Sequence, residues 1–498
     1  MIDTKVLREK ILDLAMRGKL VPQDPNDEPA SELLKRIKAE KEELIKQKKI
    51  KRDKNETEIF KGDDGLHYEK FADGTVKKLD VPYELPDGWE WAKLGSYMDV
   101  RDGTHDTPKY FDSGIPFVTS KNLGDGKIDF KNVNYISDED SQKFNQRSRV
   151  EAGDILMAMI GTIGKPVVAP KVEFEYSIKN VALFKRLTIE QNSKFIRDYL
   201  QYSEKRLRKC ASGGNQKFLS LKKLKEILIP IPPSSEQKQI VSVLSDYLSL
   251  VECIDSDQNA LQQLASQLKQ KVLDIAMQGK LVPQDPNDEP ASVLLEKIRA
   301  EKQRLYEEGK IKKKDLVETE IVKDGDNAYY GKLPKTWIKS KLFSVANVIM
   351  GQSPKGNNVT SEFSLNAVEF HQGKSDFGEK FLNPSGKYTS QITKEIEIPS
   401  IVMSVRAPVG DVNLTRKTIV IGRGLAAIQP YGYSLEYLYH FLLTQKSILE
   451  QQATGTTFKA IGGEVLRNLP IALPAEKEQI RIVNLINSVF EVESQLMK

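Results

Sequence analysis

The chain has 498 residues, 39% of them hydrophobic and 29% charged, with two cysteines and a formal net charge of +5. That length exceeds one ordinary core, so two or more domains are expected, and the composition excludes a wholly disordered chain. No apolar run approaches the roughly 18 residues of a spanning helix, Met1–Lys10 is too polar for a secretion signal, and Cys210 and Cys253 make no disulfide framework. A cytoplasmic protein with no membrane contact is therefore expected.

The first predicted element is helical and ends near Gly18, where a left-handed residue suits a helix stop. "VPQDPNDEP" then reads as a proline-punctuated turn, and Pro29 opens a second helix with Leu33, Leu34, Ile37 and Leu44 on one face. Residues 1–60 are read as a helical repeat, and 61–84 as a linker. Residues 85–232 contain short apolar runs split by Gly, Pro, Asn and Asp, then a helical stretch, "FIRDYLQYSEKRLRKC". That pattern predicts a β-rich block with exposed loops.

Residues 233–315 are read as a central helical repeat. Ile240, Leu244, Tyr247, Val251, Ile254, Gln258, Leu261, Ala265, Leu268, Val272 and Ile275 alternate steps of four and three, a coiled-coil seam broken by one polar residue. The run is about 36 residues, or about 54 Å at 1.5 Å per residue. Gly279 closes it and Pro290 opens the next helix. A linker at 316–332, a second β-rich block at 333–474 and a C-terminal helix at 475–498 complete the chain.

The parts repeat. "GKLVPQDPNDEPAS" occurs at 18–31 and again at 279–292, and 19 of 22 residues match between Lys10–Ser31 and Lys271–Ser292. "LPDGWEWAKL" is answered by "LPKTWIKSKL", "GDILMAMIGTIGK" by "PSIVMSVRAPVGD", and "PSSEQKQIV" by "AEKEQIRIV". The central repeat is continuous, whereas its second copy is split between the two chain ends. A circular arrangement of two similar halves about a pseudo-twofold axis is therefore expected.

Charge is uneven. Residues 86–232 carry 24 Lys+Arg against 19 Asp+Glu, and residues 334–474 carry 15 against 10, so each block is +5 and the remainder −5. A mild basic surplus on both blocks fits nucleic acid. Motifs for chemistry are missing from the sequence. There is no GxxxxGK[ST] loop, since Pro166 follows "GTIGK", and there is no GxSxG, HExxH or methylase-type Pro-Pro-aromatic motif. These absences argue against a self-sufficient methyltransferase and against a zinc site.

Two unlike β-rich blocks, two near-identical helical regions and a circular repeat resemble the specificity subunit of type I restriction–modification enzymes. "DGTHDTPKYFDSGIPFVTSKNL" (102–123) is similar to one class of target recognition domain. "GQSPKG", "FHQGKSDFGEKF", "SVRAPVGDVN" and "IGRGLAAI" (between 351 and 428) are similar to another, and "PPSSEQKQIV" to the boundary before the spacer helix. The resemblance implies an α+β fold with two target recognition domains separated by long antiparallel coiled-coil helices. It implies double-stranded DNA as ligand, one half of a bipartite target per domain, and docking of two methyltransferase subunits and up to two restriction subunits. Such a subunit needs no cofactor and is not an enzyme. Its partners would bind S-adenosylmethionine, ATP and Mg2+, methylate adenine and cleave DNA.

The candidate DNA-binding residues lie in loops: Lys121, Asn122, Lys165, Lys179, Asn180, Gln216 and Lys217 in the first block, and Gln372, Lys374, Arg406, Arg423, Thr456, Thr457 and Lys459 in the second. Arg and Gln can make paired hydrogen bonds to guanine and adenine edges, and Lys and Thr suit phosphates. Gly103, Pro108, Gly351 and Pro354 are read as turn formers, and His105 as either a base contact or a local hydrogen-bond partner. Two other readings remain open on the residues alone: a specificity subunit for a fused restriction–methylation enzyme, and a coiled-coil scaffold with two protein-binding modules.

Overall fold

A computed structural model describes residues 1–53, 56–124, 126–213, 217–316, 333–455 and 459–497. The chain divides into two compact units, one of residues 2–258 and one of Met1 with residues 259–498. The division falls inside the long helix Ser234–Met277, whose 44 residues outrun the seam read from sequence because the helix starts directly after Pro232 and Pro233. At 1.5 Å per residue it is about 66 Å long.

In the unit of residues 2–258, Asp3 caps the helix Thr4–Met16 by accepting from the amides of Lys5 and Val6. This helix runs antiparallel to the long one: Thr4 donates to Asp255 at 2.8 Å, and Arg8 pairs with Glu252 at 3.3 Å. Gly18 (φ +65°) ends the first turn region, and Pro29 stands just before the helix Ala30–Lys46 instead of inside it. The stretch read as a linker at 61–84 contains structure. Strands Glu58–Lys61, His67–Lys70 and Val76–Lys78 form an antiparallel meander, with Asp-Gly pairs at 64–65 and 73–74 in its two turns.

The β-rich block follows. Strand Glu90–Lys93 pairs with Leu228–Ile231 across the whole block, tying its start to its end. Between them lies a four-stranded sheet in the order Gly164–Val168, Ile155–Ala158, Val181–Lys185, Asp99–Asp102. A second sheet sets Ser177–Lys179 parallel to Ile115–Thr119. The helix Ser193–Tyr202 covers the first sheet and buries Phe195, Ile196, Tyr199 and Leu200 with Leu94, Tyr97, Phe184, Ile240 and Leu244 in one core.

The unit of residues 259–498 repeats this plan. Ile338–Lys341 pairs with Pro470–Leu473, and a four-stranded sheet runs Ala346–Met350, Leu425–Pro430, Ile401–Ser404, Val412–Leu414. Its second sheet again contains a parallel pair, Val368–His371 with Ile419–Ile421. Helix Leu435–Thr444 covers the core, and helix Glu476–Leu496 packs on it, with Lys269 and Glu493 paired at 2.8 Å. Gly279 (φ +68°) and Pro290 take the places of Gly18 and Pro29.

The predicted seam of the long helix is only partly covered. Ile240, Leu244, Val251, Ala265 and Val272 are buried, whereas Tyr247, Leu261 and Leu268 are 44–48% exposed.

The repeated fourteen residues carry out the same task in each unit. Gln23 donates to Glu236 Oε1 at 3.1 Å, while the Trp89 indole N–H donates to Glu236 Oε2 at 2.8 Å. In the other unit Gln284 donates to Glu478, which also accepts from the Trp337 indole at 3.0 Å. The next residue, Gln237 or Gln479, reaches back to the carbonyl of Pro232 or Pro474.

Burial raises the Glu236 carboxyl above the usual glutamate range; the hydrogen bonds from Gln23 and Trp89 lower it by less, and the charge of Asp27 adds to the rise. The folded state therefore holds that proton more tightly than the unfolded chain. The stabilisation is complete below the unfolded pKa of about 4.3 and is lost as pH rises through the folded value. Glu236→Gln, which does not titrate, should gain in melting temperature relative to the parent as pH rises from about 4 to 7. A difference between the two proteins that stays constant over that range would contradict this account.

Candidate nucleic-acid interface

In the first block the segment Gly103–His105 lies along the turn between the strands Ser177–Lys179 and Val181–Lys185. Gly103 donates to Val181 O at 2.9 Å, Thr104 to Ile178 O at 3.1 Å, and Asn180 back to Thr104 O at 3.1 Å. A Cβ on Gly103 would sit 2.4 Å from Ile178 O, so only glycine lets these backbones meet. Asn180 holds φ +54°, and its Oδ1 lies 2.6 Å from His105 Nδ1. The other ring nitrogen faces buried Asp102 at 3.1 Å, which Arg147 also engages. His105 thus has local partners on both nitrogens. Lys179 donates to Thr107 at 2.5 Å.

A second group forms where Gly161 donates to Lys217 O at 2.9 Å. Lys165 (φ +54°) stands exposed at the far end of that turn. Lys121 is exposed as well, but Asn122 is not. Asn122 is buried; its Oδ1 accepts from Thr119 N at 2.9 Å and its Nδ2 donates to Asn132 O at 2.8 Å. With its amide spent in this way, Asn122 shapes the loop that presents Lys121. Its expected role as a DNA contact is revised accordingly.

The second block shows the same frame with different side chains. Gly351 donates to Leu425 O and Gln352 to Ile421 O, both at 2.9 Å, matching Gly103 and Thr104. Ser353 then occupies the position of His105. Its hydroxyl donates to Gln372 Oε1 at 3.0 Å and accepts from the Arg423 amide at 3.2 Å. Gln372 and Arg423, distant in sequence, are thereby brought together through Ser353. Sequence reasoning missed this residue; its only signal was its place in "GQSPKG".

Arg406 sits on the next segment, where Val405 donates to Gly424 O and Ala407 to Lys459 O, both at 2.9 Å. The side chains of Arg406, Arg423 and Lys459 are exposed and engage no described residue. Lys374 differs, since Asp411 holds both it and Lys446 at 2.7 Å. Gln216, Thr456 and Thr457 lie outside the described residues.

The backbone bonds also align the two turns. Gly161 to Lys217 corresponds to Ala407 to Lys459, and Leu219 to Met159 corresponds to Ile461 to Val405. Ile160 therefore stands where Arg406 does, and Lys165 where Asp411 does. Among the described residues no His, Cys, Asp and Glu side chains gather in a group able to hold a metal, and no helix is long and apolar enough to cross a membrane.

A family model described as the type I restriction modification DNA specificity domain matches residues 86–263 and 334–498. The chain belongs to this family. The matched stretches contain both β-rich blocks, so the loops above belong to a DNA sequence-specificity subunit. The type I restriction enzyme EcoEI specificity subunit of Escherichia coli is 27% identical over 99% of this chain and 90% of its own length. The EcoAI specificity subunit of Escherichia coli is 32% identical over 72% of this chain and 65% of its own. A solved chain from a study of assembly and conformational transition in the type I R-M system shares the fold, with a TM-score of 0.57. It is 24% identical and covers 84% of this chain and 93% of that one.

Proposed function

We propose that each β-rich block reads one half of an asymmetric, bipartite double-stranded DNA target. The observation that supports this is one loop frame carrying unlike chemistry: His105 and Asn180 against Ser353, Gln372 and Arg423, and Ile160 against Arg406. A shared frame with different hydrogen-bonding groups reads different base edges. Lys121, Lys165, Lys179, Lys217, Lys374 and Lys459 serve phosphates; Asn180, Gln372, Arg406 and Arg423 serve bases. Gln216, Thr456 and Thr457 remain candidate DNA contacts.

The organisation proposed is helical repeat 1–60, recognition domain 85–232, central repeat 233–315, recognition domain 333–474 and C-terminal helix 475–498. Of the two stretches read as linkers, 61–84 holds strands of the meander, and 317–332 lies outside the described residues. The repeats form antiparallel coiled-coil helices in a pseudo-twofold, circular arrangement, and each docks one methyltransferase subunit; up to two restriction subunits join these. Catalysis resides in those partners, which bind S-adenosylmethionine, ATP and Mg2+, methylate adenine and cleave DNA. Near-identity of the repeats supports two equivalent dockings. The mass of the complex at saturating methyltransferase should correspond to two such subunits per chain. A limiting mass of one to one would overturn equivalent docking.

The reading is tested by Arg406→Ala in the assembled methyltransferase, using DNAs with single base changes across both half-sites. Preference should relax by about 1–3 kcal/mol at one position of one half-site, the value of a paired contact to a base edge. The other half-site should be unaffected. Equal loss in both halves, or none in either, would remove Arg406 from the reading surface.

A further inference from the structure

Each unit buries a carboxylate that the reading of DNA does not use. Glu236 and Glu478 are 1% and 2% exposed, each in the first turn of a helix that follows a β-rich block. A buried carboxylate rarely adds stability over a well-packed apolar side chain. Yet both units keep the same arrangement of Trp, Glu and Gln. The three groups come from three separate places. Trp89 belongs to the turn that opens the block, Glu236 to the helix that leaves it, and Gln23 to the loop between the two repeat helices.

Close backbone contact tightens the same junction. A Cβ on Gly18 would lie 2.4 Å from Pro86 Cγ and 3.0 Å from Trp89 Cζ2; on Gly279 it would lie 2.5 Å from Pro334 Cγ and 3.1 Å from Trp337 Cζ2. Ala30 N donates to Gly88 O at 2.8 Å, joining the second repeat helix to the turn that carries Trp89. Apolar packing tolerates sliding, whereas two hydrogen bonds to one buried carboxylate define an orientation.

We propose that Glu236 and Glu478 are positioning residues that hold each recognition block at a fixed angle to its helix and so set the accepted gap between half-sites. This rests on the two-part DNA reading above. The clamps differ in several respects, among them a neighbouring ion pair. Arg481 pairs with Asp288 at 2.5 Å in the unit of residues 259–498, whereas Gln239 stands at the matching place in the other unit. Loss of Glu236 should therefore have a larger effect than loss of Glu478.

The experiment uses the assembled methyltransferase and DNAs whose gap is one base pair longer or shorter than the native one. Glu236→Ala should raise the relative rate on altered gaps by about tenfold, equivalent to relaxing a penalty of about 1.4 kcal/mol. Base preference within each half-site should stay as it was. Glu236→Gln, which keeps an acceptor for Trp89, should return most of the native gap profile. Should Glu236→Ala fail to fold, Trp89→Phe removes the donor together with part of the ring while leaving Glu236 in place, and it is read in the same way. An unchanged gap profile in a folded variant, with the parent reading a two-part target, overturns the clamp alone. A parent complex with no two-part target overturns the functional reading itself.

Discussion

Gly351→Ala should abolish discrimination in one half-site and leave the other intact. A Cβ there would lie 2.1 Å from Gly422 O and 2.8 Å from Leu425 O, both backbone atoms of the neighbouring segment. Backbone cannot swing aside as a long side chain can, so the segment carrying Ser353 must move. That movement separates Ser353 from Gln372 and from the Arg423 amide, the two hydrogen bonds that gather the proposed readers. With each paired base contact worth about 1–3 kcal/mol, losing two removes about 2–6 kcal/mol of discrimination. Methylation of DNAs with single base changes provides the measurement, alongside circular dichroism to establish folding. Gly103→Ala, whose Cβ would meet Ile178 O at 2.4 Å, should give the mirror result in the opposite half-site. Retained preference at both halves in folded variants would mean that these loops are not the reading surface.

Trp89→Ala should destabilise the unit of residues 2–258 by about 3–5 kcal/mol, the range for deleting a buried aromatic side chain. The ring is 5% exposed and meets Phe195 edge-on at 6.3 Å between centroids. Its removal also leaves Glu236 with a buried oxygen that no longer has its donor, a further loss of about 1–3 kcal/mol. With two units in one chain, a single unfolding free energy is poorly defined. Hydrogen exchange resolved by segment is the suitable measurement. Protection should fall first in strand Glu90–Lys93 and its partner Leu228–Ile231, while Ile338–Lys341 and Pro470–Leu473 keep theirs. Equal losses in both pairs would show that the clamp is not local to its own unit.

Local signals were sufficient for the helical parts. Gly18 and Gly279 mark helix ends because a left-handed residue favours glycine wherever it occurs, and Pro29 and Pro290 mark the starts that follow. The meander at 58–78 was missed, although Asp64-Gly65 and Asp73-Gly74 are hairpin signals, because its three strands are only three or four residues long. The seam was legible as a pattern, but how far it is covered was not. Periodicity places Tyr247, Leu261 and Leu268 on one stripe without telling what lies against them.

The sequence by itself determined the duplication, the split of the second repeat between the chain ends, the alternation of helical and β-rich parts, and the family. All of these rest on residue types in a linear order, which folding does not alter. Only the tertiary structure decided the roles of individual polar side chains. Asn122 and Arg423 both looked like readers in the sequence, yet the amide of one is spent inside its own loop and the guanidinium of the other is exposed. Nothing in the sequence sets Glu236 and Glu478 apart from the other glutamates, yet each is buried beneath a tryptophan from the other end of its block. The physical reason is that a polar group's role depends on which partners satisfy its hydrogen bonds. Those partners lie up to 213 residues away along the chain and are brought within 3.1 Å only by the fold.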